Sequence, residues 1–112
     1  MTDTGVRAMY KITFFNQGQV YELFCGKVHG SELAYGFIEI SELIFDDGDS
    51  VVIDPTEERM REEFADVEVM HLPAHAVVRI EKVRKRGNCV IRDSKSGEKV
   101  TPLPVGAPRK RS

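Results

Sequence analysis

His71 and His75 stand four residues apart, a spacing that on a helix would offer two imidazoles on one face to a metal ion. Pro73 lies between them and the flanking residues alternate as a strand, so that geometry fails. They are read as a structural histidine and an exposed turn residue, and no metal is expected. The acidic cluster Asp46-Asp47-Gly48-Asp49 resembles a calcium loop only in composition, since the spaced ligands and the bidentate glutamate of such loops are missing. It reads as a hairpin turn. No nucleophile elbow, phosphate-binding loop, dinucleotide-binding glycine pattern or Ser-x-x-Lys arrangement occurs. Cys25 and Cys89 lie far apart with no CxxC spacing, and read as small core hydrophobes with free thiols. Acid–base catalysis needs two carboxylates held in different environments within a cleft, whereas the acidic residues here read as a solvated face. The sequence therefore predicts neither an enzyme nor a cofactor.

The basic residues are more informative. The formal net charge of −2 hides a strong segregation. Residues 39–68 contain twelve acids against Arg59 and Arg61, while residues 79–92 contain six bases against Glu81 alone. Arg84, Lys85 and Arg86 fall at an expected hairpin tip, Arg79 and Lys82 on the strand leading into it, and Arg109-Lys110-Arg111 at the end of the tail. Such a layout can grip phosphates, with Tyr10, Phe15, Tyr35 or Phe37 available to stack on bases where exposed. The five residues Arg79, Lys82, Arg84, Lys85 and Arg86 are the candidate nucleic-acid contacts, and the competing explanation is that they are solubilising charges. RNA or an RNA-associated complex is the expected partner of a non-enzymatic binding module. The alternative is a protein-interaction or oligomerising domain, a homodimer among its forms, which docks through an exposed strand edge or the acidic helix without touching nucleic acid.

The elements that would position these residues are mostly strands. Tyr10, Ile12 and Phe14 alternate with Lys11 and Thr13, Asn16-Gln17-Gly18-Gln19 supplies turn residues, and Val20-Tyr21-Glu22-Leu23-Phe24-Cys25 resumes the strand, which together predict a β-hairpin. Residues 35–40 predict a third strand, whose apolar set restarts at Leu43-Ile44-Phe45 after a bulge or sharp bend at Ser41-Glu42. Residues 50–53 predict a short strand. Asp54-Pro55-Thr56-Glu57 then predicts a helix start, with Asp54 as N-cap, Pro55 at the first helical position and Glu57 completing a capping box. Met60 and Phe64 give that helix a narrow apolar stripe. Strands are expected again over 68–72, 76–83 and 89–92, the last two as a hairpin turning at Lys85-Arg86-Gly87-Asn88.

The fold class predicted is mainly β (α+β): a small, strongly bent sheet or an SH3-like or Sm-like barrel, with one short helix inserted near residues 55–64. One globular domain over 9–93 is expected between a flexible stretch at 1–8 and a disordered basic tail at 94–112. No apolar run approaches the ~20 residues that span a bilayer, and the first residues lack the apolar stretch of a signal peptide, so no membrane contact and a cytoplasmic location are expected.

Three runs carry a family resemblance: Tyr10 to Gly18 (YKITFFNQG), Val52 to Glu58 (VIDPTEE) and Leu72 to Ile80 (LPAHAVVRI). Over residues 9 to 92 the chain resembles an uncharacterised proteobacterial family classed as a domain of unknown function. The resemblance implies a small stand-alone bacterial domain of the cytoplasm and brings no activity or catalytic residues with it. Ala74-His75-Ala76 followed by an apolar strand is also similar to the late Lys-His-Ala segment of the bacterial Sm-like RNA chaperone, with Ala74 in place of the lysine.

Overall fold

Alternation at the start of the chain produces β1 (Tyr10–Asn16), which buries Ile12 and Phe14 and leaves Lys11, Thr13 and Phe15 on the other face. Gln17 and Gly18 close a two-residue turn, both with positive φ (53° and 80°). This is the mirror-image turn whose twist suits a hairpin and for which glycine is the favoured second residue. The chain returns as β2 (Gln19–Gly30), paired antiparallel with β1 from Asn16 opposite Gln19 to Tyr10 opposite Cys25. The computed structural model describes residues 8–45 and 54–100. The expected strand at 50–53 and the acidic turn at 46–49 lie outside the described residues.

At twelve residues, β2 is twice the length its alternation predicts and organises the sheet around it. One edge pairs with β1 along the first half. The other edge serves two partners in turn, β6 (Val90–Asp93) against Gln19 to Glu22 and β3 (Phe37–Ile44) against Phe24 to Gly30. β4 (Val69–Pro73) adds to β3, and β5 (Val77–Lys82) adds to the free edge of β1, giving the order β4-β3-β2-β1-β5 with β6 beside β2. Every pairing is antiparallel. Of the two architectures expected, the open sheet is the one observed: β4 and β5 end it on opposite sides and do not pair, so no SH3-like or Sm-like barrel closes.

The core draws on both halves of the sheet. Ile12, Leu23, Cys25 and Ile40 are fully buried, and Phe14 stacks on Tyr21 with ring centroids 5.5 Å apart. α1 (Pro55–Glu63) closes this core with Met60, which is wholly buried and worth about 1.5–3 kcal/mol relative to exposure. Phe64 just beyond the helix stacks on Phe45 at 6.4 Å. A 3-10 turn (Ala74–Ala76) joins β4 to β5, after Pro73 has ended β4 without needing a ladder donor.

Past Asp93 the chain turns back on β6. The Asp93 carboxylate accepts from the N–H groups of Lys95 and Ser96, Gly97 takes φ 77°, and the Val100 N–H donates to the Ile91 carbonyl at 2.7 Å. The structured chain thus continues beyond residue 94, where the sequence places the start of the tail.

Candidate functional site

β5 and β6 do not form the basic hairpin that the sequence predicts. β5 pairs with β1 and β6 with β2, so they flank the β1–β2 hairpin from opposite sides and the connection 83–89 crosses between them. Glu57 in the first turn of α1 holds the crossing in place. Its side chain is almost fully buried, with Oε1 accepting from the Cys89 N–H at 2.7 Å and Oε2 accepting from Arg86 Nη1 at 3.0 Å. Gly87 lies against the Phe24 ring, where an added Cβ would come to 3.4 Å. The hairpin turn expected at Lys85-Arg86-Gly87-Asn88 yields to these long-range contacts.

The five candidate contacts separate accordingly. Arg86 is drawn into the Glu57 ion pair, with a quarter of its side chain exposed. Arg84 and Lys85 stand exposed on the connection, and Lys82 and Arg79 are exposed on β5. Arg92, Lys11 and Glu22 form a separate ladder across β6, β2 and β1, at 3.0 Å and 3.3 Å. Burial works to raise the Glu22 pKa, but the Arg92 hydrogen bond and the Lys11 charge outweigh it and hold the carboxyl below its ordinary value. Of the four aromatics considered for stacking, Tyr35 is fully exposed and Phe15 half exposed, whereas Tyr10 and Phe37 are partly buried.

β5 has one neighbour among the described residues, and its outer edge carries Val78 and Ile80 at 54% and 41% exposure. Ile80 sits opposite the buried Ile12, so it continues the core face to the open rim of the sheet. On the other face Arg79 and Glu81 approach to 3.9 Å, and Glu81 stands opposite Lys11. The register slips by one residue between Thr13 and Phe14, which leaves Val78 as the extra residue of a bulge and 79–82 in regular pairing.

Three other groupings hold chemistry-bearing side chains. His71 is joined not to His75 but to Ser31, whose Oγ lies 2.9 Å from Nδ1, and Glu39 lies between His71 and His29 at 4.0 and 3.5 Å. Ser31 Oγ also accepts from the N–H groups of Leu33 and Ala34, so it serves as the cap of the loop 31–36. Among the described residues no group of three or more His, Cys, Asp or Glu side chains is placed to hold a metal ion. Cys25 and Cys89 are free and buried, and burial pushes their thiols up to about 11 and about 12. A cleft of about 150 Å³ lies between the start of α1 and β6, below the roughly 300–1,000 Å³ of a typical ligand pocket.

The described residues thus form a small open antiparallel sheet covered on one side by the capped helix α1. Over residues 8–105 the chain matches the family model described as Domain of unknown function (DUF1820), and it belongs to that family. No curated protein and no solved structure matches it. Among the described residues no helix is long and apolar enough to cross a membrane.

Proposed function

We propose that this protein is a non-enzymatic binding module whose docking element is the outer edge of β5, to which an extended strand of another polypeptide adds by main-chain pairing. The observation that carries this reading is the pair Val78 and Ile80, left exposed on a strand that ends the sheet. An unpaired edge displays a row of N–H and C=O groups, and side chains alternating along it supply specificity. The opposite edge, β4, ends in Pro73, which cannot donate to a ladder. Free buried thiols accord with action in a reducing compartment such as the cytoplasm.

The exposed cations Arg79, Lys82, Arg84 and Lys85 favour a second reading, contact with RNA phosphates along β5 and the connection that follows it. Co-purification from the native cell with and without nuclease separates the two. Edge docking predicts capture that survives nuclease, is lost with Ile80→Arg and persists with Arg84→Glu/Lys85→Glu. Capture that nuclease or the double charge reversal abolishes, while Ile80→Arg retains it, replaces edge docking by the RNA reading.

A further inference from the structure

We infer that the strand accepted by β5 is the β5 of a second copy of this chain, joined antiparallel about a two-fold axis through Ile80. The inference rests on the edge-docking reading and names its partner. Backbone N–H and C=O groups point alternately toward and away from a neighbour along a strand, so a two-fold seam between identical strands centres on a residue and never between two. Within the regular stretch next to the bulge, 79–82, four centres are open. Centring on Arg79, Glu81 or Lys82 sets that charged residue against its own copy, a like-charge pair that destabilises a sheet. Centring on Ile80 sets Ile80 against Ile80 and each Arg79 against the Glu81 of the second copy.

That register satisfies both faces of the sheet. On the inner face the half-exposed Ile80 meets its equivalent, and the apolar row that begins at Ile12 runs across the seam into the second sheet. On the outer face, Arg92, Glu22 and Lys11 already alternate in sign across three strands, and Glu81 lies opposite Lys11. The second copy's Arg79 becomes the next cation in that ladder. Val78 falls opposite the aliphatic stem of Lys82. The bulge at Val78 keeps the seam short, so the association is weak and reversible.

Sedimentation equilibrium of the full chain from about 1 μM to about 1 mM tests this. The expected result is a monomer–dimer equilibrium. Arg79→Glu and Glu81→Arg each place like charges opposite one another twice and raise the dissociation constant by about tenfold or more. The double variant Arg79→Glu/Glu81→Arg restores the wild-type constant. An equimolar mixture of the two single variants forms a mixed dimer tighter than either variant alone, which also shows that both are folded. A chain that stays monomeric throughout, or a dimer indifferent to all three variants, overturns the inference. If the chain is monomeric but binds a different protein in a manner lost with Ile80→Arg, the second copy is wrong and edge docking stands. If that variant retains every partner, edge docking falls as well.

Discussion

Glu57 joins the first turn of α1 to the Cys89 N–H and to Arg86, and does so from an almost fully buried position. Removing a buried acceptor leaves its donor unsatisfied, and removing one member of a buried ion pair strands the other. Glu57→Ala is therefore expected to cost about 3 kcal/mol of stability, and Glu57→Gln less, because the amide oxygen can still accept from Cys89. Asp54→Ala, which removes only the cap on the Thr56 N–H, is expected to cost about 1 kcal/mol. Urea denaturation gives the three values, and a Glu57→Ala cost no larger than that of the cap would refute the assigned role. The sequence places Asp54 correctly, but the Asp-x-x-Glu spacing assigns Glu57 to a capping box. Glu57, Met60 and Phe64 fall at i, i+3 and i+7, and that shared stripe was the available sign that the carboxylate faces the core. The buried thiols allow another test at this scale. With pKa values of about 11 and 12 they are protonated at neutral pH and enclosed, so an aromatic disulfide reagent should react with neither until denaturant is added.

Among the elements, β3 best shows how a local irregularity serves the sheet. The sequence predicts a bulge or bend at Ser41-Glu42, yet the register against β2 runs unchanged from Phe24 opposite Ile44 to Gly30 opposite Ile38, with no residue inserted. The break in the apolar pattern is absorbed by Glu42 itself, which adopts φ 58°. Gly26 makes this possible. A Cβ there would meet Glu42 Oε1 at 2.6 Å and its Cβ at 3.2 Å, and Glu42 uses the vacant space to reach Lys27 Nζ at 3.5 Å. Gly26→Ala should lower the urea midpoint by an amount equivalent to about 1–2 kcal/mol, and Glu42→Gly in the same background should recover part of it, since glycine accepts positive φ without strain. A Gly26→Ala chain as stable as the parent would show that the left-handed turn does not depend on the missing side chain. Most elements were legible because alternation and turn chemistry are local. The length of β2 was not, because His29 and Gly30 look like a loop until β3 is there to pair with them.

At the scale of the whole molecule the unreadable step was topological. Residues 76–92 read as two strands and a glycine turn, the ordinary signature of a hairpin. What separates β5 from β6 is the prior occupancy of β1 and β2 and the grip of Glu57 on the connection, neither of which has a signal within that window. The dependence of stability on pH rests on five other groups, Glu22, Asp93, Cys25, Cys89 and Tyr21. On the acid side Glu22 and Asp93 are held below their ordinary values, Glu22 by Arg92 and Lys11 against an opposing burial effect, Asp93 by the Ser96 and Lys95 N–H groups. A carboxyl whose folded pKa is depressed contributes stability above its unfolded value and loses it as pH falls toward the folded one. On the alkaline side the order reverses. Cys25 and Cys89, raised by burial from 9.0 to about 11 and about 12, and Tyr21, raised from 10.0 by burial and by Glu63, ionise more readily in the unfolded chain. Their contribution is complete below the unfolded pKa values and lost as pH rises through about 9 to 12. Urea midpoints measured across pH should therefore trace a plateau between an acid limb and an alkaline limb. Arg92→Met should flatten the acid limb alone, and Cys25→Ala/Cys89→Ala the alkaline limb alone. Limbs that kept their slopes in those variants would mean that groups elsewhere in the chain govern the response.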